Sequence, residues 1–406
     1  MITEEQQKII DYIIDWKNSG YVNPSYIAIG GYAGTGKTFL IGELSHKLRK
    51  NNVRNIAFVT YTGKASSVLK KRLLESNAFY KNKGDFIGTI HSLIYRPEFK
   101  YDSILRKKII YKWVKIENLN KYNLIIIDEA SMVSKKIWDD LKSYKIPIIV
   151  IGDHGQLPPI GDSFSLMKNL HFKLNKIHRQ AKNSPIISLS SFVRKNGFIP
   201  NNKIFSSNVF KLDWKYSECQ KLWKKISFDE NVIVLCGFNK TRVTLNNMIR
   251  QKLHFIKNKP YPGERIICLK NNHETKIMNG QITSVLWYMP YRPNLYRMTL
   301  EVDTMSEPYE CLVHNNCFNK ETYNQIYEEK KSYKFKKDIK ESSFNSVDYF
   351  DFGYTISVHK SQGSEWQKVV LFEQRSSYWD DQYYARWLYT AITRAKERLF
   401  IISNFY

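Results

Sequence analysis

The chain has 406 residues, and at about 150 residues per domain that length calls for roughly two or three domains. Lysine and arginine number 63 against 38 aspartates and glutamates, a formal charge of +25, while 43% hydrophobic and 14% aromatic residues supply ample core. These values exclude a disordered tail or a single small binding module, and the charge favours a polyanionic partner, either nucleic acid or an anionic membrane surface. The abundance of Lys, Asn, Ile and Tyr, whose codons are A/T-heavy, discounts the charge as evidence for nucleic acid. Five cysteines, Cys219, Cys236, Cys268, Cys311 and Cys317, form neither an even set nor a C-x-x-C pair, which argues for a reducing compartment. The first ten residues are acidic and polar where a secretory signal is basic and then apolar, and no apolar run approaches the roughly eighteen residues of a membrane span. A soluble cytoplasmic protein without a membrane partner is expected.

In chain order, short apolar runs at 26–30, 55–60, 124–127 and 146–151 alternate with longer amphipathic stretches, the rhythm of βα units around a buried parallel sheet. Residues 94–114 break that rhythm: Tyr95, Phe99, Tyr101, Tyr111 and Trp113 among lysines and arginines predict a small inserted hairpin. A second set of runs at 231–236, 353–358, 368–372 and 398–402 predicts a second α/β domain. Between them, alternating patterns at 281–287 and 296–302 predict antiparallel strands in a β-rich insert, whose stretch 330–340 is too charged to assign.

Gly31, Gly34, Thr35, Gly36, Lys37 and Thr38 lie in a G-x-x-x-x-G-K-[ST] pattern between the first apolar strand and a helical pattern over 38–48. That context suits phosphate: glycines let backbone N–H groups close round the anion, Lys37 reaches the β/γ oxygens and Thr38 can hold Mg²⁺. Asp128 and Glu129 end a buried apolar strand, where a P-loop nucleoside triphosphatase needs a Mg²⁺ ligand and a group for the attacking water. An apolar strand ending in Asp-Glu is common taken alone; downstream of a phosphate loop it is informative. The next strand ends in Gly152-Asp153 and leads to Gln156, a neutral amide able to sense a γ-phosphate.

These residues, with others in the same order from Gln6 to Arg394, resemble superfamily 1 helicases of the 1B branch, which contains the RecD-like and phage Dda-like enzymes. Gln6 looks like the glutamine that reads adenine in that family, with Gln7 beside it. Thr60, Thr62 and Lys64, then His91, then Asn239, then Thr355 and His359 lie in segments resembling its DNA-facing motifs. Alone, His91 and His359 would be read as buried core histidines. The resemblance implies that Arg179 touches the γ-phosphate, that Gly363 faces the phosphates and Glu365 the ribose, and that Arg394 is the arginine finger.

It also implies an α/β fold of two RecA-like P-loop motor domains. The first would occupy 1–93 and 115–175 with a strand-separating pin at 94–114; the second would occupy 176–261 and 350–406 with a small barrel-like insert at 262–349. Phe99 and Tyr101 are the candidate wedge residues, the alternative being that they pack the hairpin onto its domain. The implied activity is an ATP- and Mg²⁺-dependent DNA helicase moving 5′ to 3′ on single-stranded DNA and acting at duplex junctions. Replication, recombination or repair would be its setting, with replication or single-strand-binding proteins as partners and a bacterial or phage-infected cytoplasm as its location. A motor subunit of a nuclease-helicase complex and an RNA helicase of the same superfamily remain open, as does a binding module with a vestigial ATP site.

Overall fold

The computed structural model of the chain describes residues 2–21, 24–102, 107–159, 164–177, 184–201, 204–255, 259–272, 277–292, 295–302, 305, 307–321 and 347–405. Packing divides the chain into two units. One comprises Met1–Glu98, Lys112–Ile199 and Asp381–Thr393, the other Phe99–Tyr111, Pro200–Asp380 and Arg394–Tyr406.

The first unit begins with α1 (Glu4–Asn18), β1 (Tyr26–Gly31), α2 (Lys37–Lys50), β2 (Ile56–Thr60), α3 (Gly63–Glu75), β3 (Phe86–Thr89) and α4 (Ile90–Ile94). After the paired strands β4 (Tyr95–Asp102) and β5 (Lys107–Lys115) come β6 (Leu124–Asp128), α5 (Lys135–Lys142), β7 (Ile148–Gly152), β8 (Phe172–Leu174) and α6 (Pro185–Asn196). Among the described residues the main sheet runs β3-β2-β6-β7-β1-β8, with every neighbouring pair parallel. Its strands are buried on both faces, and alternation of side chains splits them between two cores. Ile27, Ile29, Ile126, Ile149 and Ile151 meet α1, α2 and α3, whereas Ala28, Ile125, Ile127, Ile148 and Val150 meet α4 and α5. Truncating one of these isoleucines to alanine would cost about 2–5 kcal/mol. Because the strands are parallel, all their carboxyl ends lie along one edge, where ligands of open α/β sheets bind.

The second unit contains β9 (Ile204–Ser206), β10 (Val209–Asp213), α7 (Ser217–Lys225), β11 (Val232–Cys236) and α8 (Asn239–Lys252). An insert of β12 (Arg265–Cys268), β13 (Ile282–Arg292), β14 (Leu295–Glu301), β15 (Tyr309–His314), β16 (Val347–Asp348) and β17 (Phe350–Phe352) precedes β18 (Thr355–Ser357) and β19 (Trp366–Phe372). Helix α9 (Asp381–Ile392) and β20 (Ala395–Ser403) end the chain. Here the order is β18-β11-β19-β20-β10-β9, parallel except for the β9–β10 pair. The insert forms a separate sheet ordered β16-β15-β14-β13-β12-β17. Its two outermost strands are separated along the chain by Tyr349 alone, so the sheet has to curl until its edges meet, the barrel-like form expected from the sequence. Val285, Met298, Leu300, Val313, Phe350 and Phe352 fill its core. The stretch 330–340 lies outside the described residues.

Two long cations of α8 fasten this insert. Arg250 Nε donates to Glu264 Oε1 at 2.6 Å with both groups buried, and Arg242 pairs with Asp351 of β17. The grouping by packing departs from the sequence boundaries at α6 and α9, which join the first unit, and at Phe99–Tyr111 of the hairpin, which is grouped with the second. For α9 the reason is burial: Trp387, Leu388 and Tyr389 are each at most 1% exposed, and two of its hydroxyls bond to loops of that unit.

Candidate functional site

Three loops meet at the carboxyl edge of the first sheet. The loop after β1 turns through Gly34 and Gly36, whose φ values of +80° and +77° are left-handed and strained for any side chain. At Gly31 an added Cβ would stand 2.5 Å from Thr35 Oγ1, so the close turn needs glycine there too. Helix α2 starts at Lys37 with no side-chain cap on its N-terminus, leaving its positive dipole end to the loop. Lys37 Nζ donates to Gly31 O at 2.9 Å and Tyr32 O at 3.0 Å, and lies 3.9 Å from Asp153 Oδ2. Thr35 is buried, with Oγ1 donating to Tyr32 O at 2.8 Å.

Asp128 and Glu129 follow β6, two places from β1 in the sheet. Asp128 is buried and Oδ1 accepts from Glu129 N at 2.9 Å. Burial pushes its carboxyl above the usual range, while the Glu129 N–H and the charges of Lys37 and Arg72 pull the other way. Glu129 itself has φ +54°, a sharp turn that ends the strand at once. After β7, Asp153 is fully buried; Oδ1 accepts from Gly155 N at 2.9 Å and Oδ2 from Tyr389 at 2.8 Å and from Gln156 Nε2 at 3.4 Å. Gln156 is 5% exposed, and its buried Oε1 has no hydrogen-bond partner among the described residues. A buried carbonyl of that kind is ready to accept from a water or a ligand.

A family model described as AAA domain matches residues 18–162, and one described as UvrD-like helicase C-terminal domain matches residues 352–402. The chain is 22% identical over 425 residues to the ATP-dependent RecD2 DNA helicase of Deinococcus radiodurans, covering 98% of this chain and 48% of that protein. It is 25% identical over 279 residues to the ATP-dependent DNA helicase dda of Enterobacteria phage T4, covering 64% of this chain and 60% of that protein. The crystal structure of Pif1 helicase from Bacteroides in complex with ADP-AlF3 and ssDNA matches with a TM-score of 0.53 and 18% identity, covering 100% of this chain and 92% of that one, a likeness of fold. The chain is thus similar to ATP-dependent DNA helicases in sequence over much of its length and to Pif1 in fold. It spans about half to three-fifths of the length of these two curated relatives.

Several residues stand differently from expectation. Gln6 lies against the phosphate loop, but its amide is engaged: Oε1 accepts from Thr3 N at 3.0 Å in a capping box of α1, and Nε2 donates to Thr35 O and Gly36 O at 3.5 Å. Reading adenine would require it to leave those bonds. Thr38 Oγ1 accepts from Arg72 Nη1 at 2.9 Å. Thr60 and Thr355, expected on DNA, are 0% exposed. Thr60 Oγ1 folds back to Thr62 O at 2.8 Å, and Asn246 accepts from Thr355 N at 2.9 Å and donates to its carbonyl at 3.2 Å. Thr60 is the last residue of β2 and Thr355 the first of β18, both buried parallel strands. Thr62 caps α3 by accepting from Ala65 N at 3.3 Å, with Lys64 half-buried in its first turn.

His91 packs edge-on against Trp113, ring centroids 4.8 Å apart, and tilted against Tyr95 at 4.6 Å; burial lowers its pKa, as it does for His359. Both imidazoles are therefore neutral at pH 7. Asn239 is exposed in the first turn of α8. Phe99 and Tyr101 of β4 are 54% and 60% exposed, so neither is consumed in packing the hairpin. In the second unit Gly363 has φ +73°, Glu365 pairs with Lys396 at 3.8 Å near the surface, and Arg394 is buried with Nη1 donating to Ser364 O at 3.0 Å. Arg179 lies outside the described residues.

Three side chains escaped the sequence reading. Arg72 of α3 reaches both Thr38 and the charge of Asp128. Arg194 of α6 sits 3.4 Å above the ring of Tyr32, whose other neighbour is the His154 imidazole at 4.0 Å. Tyr389 bridges the phosphate loop and Asp153. Nothing in local spacing marks the two arginines, and Tyr389 is one of several hydroxyl residues on its helix, with Tyr384 and Thr390 also buried there. Among the described residues no group of three or more His, Cys, Asp or Glu could hold a metal, and no helix is long and apolar enough to cross a membrane.

Proposed function

We propose that this chain is an ATP-dependent DNA helicase that moves 5′ to 3′ on single-stranded DNA and separates duplex at junctions, in replication, recombination or repair. One observation carries the reading: the phosphate loop, the Asp128-Glu129 pair and the Asp153–Gln156 loop converge on one sheet edge, with Lys37 Nζ 3.9 Å from Asp153. The ATP-dependent DNA helicase activity for which RecD2 and dda are named, and the single-stranded DNA and ADP-AlF3 in the Pif1 complex, support it.

In this reading the loop amides and Lys37 hold the phosphates, and the Glu129 carboxylate and the Gln156 amide oxygen orient the attacking water. Arg394 supplies the finger, with Gly363 and Glu365 beside the nucleotide. The donor set fits Mg²⁺: Thr38 Oγ1 and the Asp128 carboxylate are hard oxygens, and Arg72, touching the first and influencing the second, marks them as neighbours. When bound, the ion neutralises charge on the β and γ oxygens. Single strands are held by Lys64, Asn239 and the neutral His91 and His359 as hydrogen-bonding groups, and by exposed aromatic rings. Phe99 and Tyr101 form the wedge. Hydrolysis linked to movement needs a modest output, since each base-pair step opposes opening by about 1.4 kcal/mol.

The test is strand displacement by purified chain with ATP and Mg²⁺ on duplexes bearing a 5′ or a 3′ single-stranded tail. Displacement from the 5′ tail alone is expected. Preference for the 3′ tail refutes the polarity, displacement from neither indicates a motor that needs protein partners, and preference for RNA of equal sequence refutes DNA as substrate.

A further inference from the structure

Tyr389 occupies a position in the first unit that none of the catalytic roles above explains. Its hydroxyl accepts from Ala33 N of the phosphate loop at 2.8 Å and donates to Asp153 Oδ2 at 2.8 Å. The side chain is 1% exposed, so both bonds are shielded from water and each lost partner would leave a buried polar group unsatisfied. One residue further along α9, Thr390 Oγ1 accepts from Leu157 N at 3.0 Å, which ties the helix to the same loop that carries Asp153 and Gln156. Thr393 then closes the last turn, its N and Oγ1 donating to Tyr389 O at 3.1 and 2.9 Å, and Arg394 follows directly in the chain.

We propose that Tyr389 is a positioning residue through which the phosphate loop sets the last turn of α9 and with it Arg394. The proposal rests on the helicase reading. Asp153 is the shared element: it accepts from Tyr389 and lies 3.9 Å from Lys37 Nζ. A phosphate that draws Lys37 toward itself weakens the lysine's hold on Asp153 and leaves the carboxylate leaning harder on the tyrosine hydroxyl. The same phosphate tightens the loop that holds Ala33 N. Both effects act on one hydroxyl, whose helix turn ends at the arginine.

Tyr389→Phe removes the hydroxyl and keeps the ring. In the full chain, ATP turnover with Mg²⁺ and saturating single-stranded DNA should fall tenfold or more in kcat, with KM for ATP within about twofold and a melting temperature lowered by no more than a few degrees. The losses in Tyr389→Phe and Asp153→Asn should be non-additive, the double variant being hardly slower than the slower single one. A kcat within twofold of wild type, or fully additive losses, would overturn the proposal. A variant melting well below wild type would also overturn it, because the hydroxyl would then serve the fold. Wild-type protein that hydrolyses no ATP would instead bring down the helicase reading, and this proposal with it.

Discussion

Replacing Lys37 with alanine separates what the ammonium does for the fold from what it does for chemistry. In the structure Nζ donates to Gly31 O and Tyr32 O and faces the fully buried Asp153 at 3.9 Å. With an effective dielectric of about 20, that separation corresponds to an attraction of about 4 kcal/mol before desolvation is charged against it. Asp153 keeps its bonds from Gly155 N, Gln156 Nε2 and Tyr389, so the net loss of stability should be about 1–2 kcal/mol. Turnover should fall much further. A charge aimed at a transferring phosphoryl group contributes about 2.7–4 kcal/mol of transition-state stabilisation, or roughly 10²–10³ in kcat. DNA-stimulated phosphate release and a thermal melt on the same preparation measure both. Turnover within tenfold of wild type would refute the role assigned to Lys37, and a melting loss of several kcal/mol would make it a structural residue.

Arg394→Ala should spare nucleotide binding, measured by equilibrium titration, while lowering hydrolysis by about 10³-fold or more; weakened binding with normal turnover would contradict the finger. Phe99→Ala and Tyr101→Ala should leave the melting temperature nearly unchanged, since both side chains are more than half exposed. If a ring at the junction contributes about 1–3 kcal/mol of base stacking, strand displacement should slow by roughly 5- to 100-fold while translocation on single strands stays near wild type. Equal losses in the two assays would reject the wedge. Arg250→Met leaves Glu264 fully buried without its 2.6 Å partner and should destabilise the second unit by about 3–5 kcal/mol in denaturant unfolding. A change below 1 kcal/mol would show that the pair does not hold the barrel to α8.

The phosphate loop and the Asp128-Glu129 turn were legible because their chemistry is local. Glycines at fixed spacing permit left-handed backbone, and an apolar run that stops at two acids downstream of such a loop reads as a strand delivering them to a sheet edge. The parallel strands of both units were equally plain, as was the hairpin, since period and burial are written into consecutive residues. The β-rich insert was legible in the residues only as alternating strands, and its barrel-like form came from the family resemblance, because curling depends on β16 and β17 lying at opposite edges of one sheet.

Other features depend on which distant segments meet. Thr60 and Thr355 sit in segments that resemble DNA-facing motifs, yet Thr60 closes one buried strand and Thr355 opens another, and both are fully covered. Gln6 is spent on the cap of its own helix and on two carbonyls about thirty residues away. Arg72 came to Thr38 because α2 and α3 pack on the same face of one sheet. Tyr389 came to Ala33 across 356 residues. The sequence by itself determined the triphosphate chemistry, the two α/β units and the inserts, because backbone conformation and strand burial are local properties. Only the tertiary structure decided which of the named side chains are buried, which are already bonded, and that a tyrosine hydroxyl joins the phosphate loop to the helix leading to Arg394, because burial and hydrogen-bond partners are set by the whole fold.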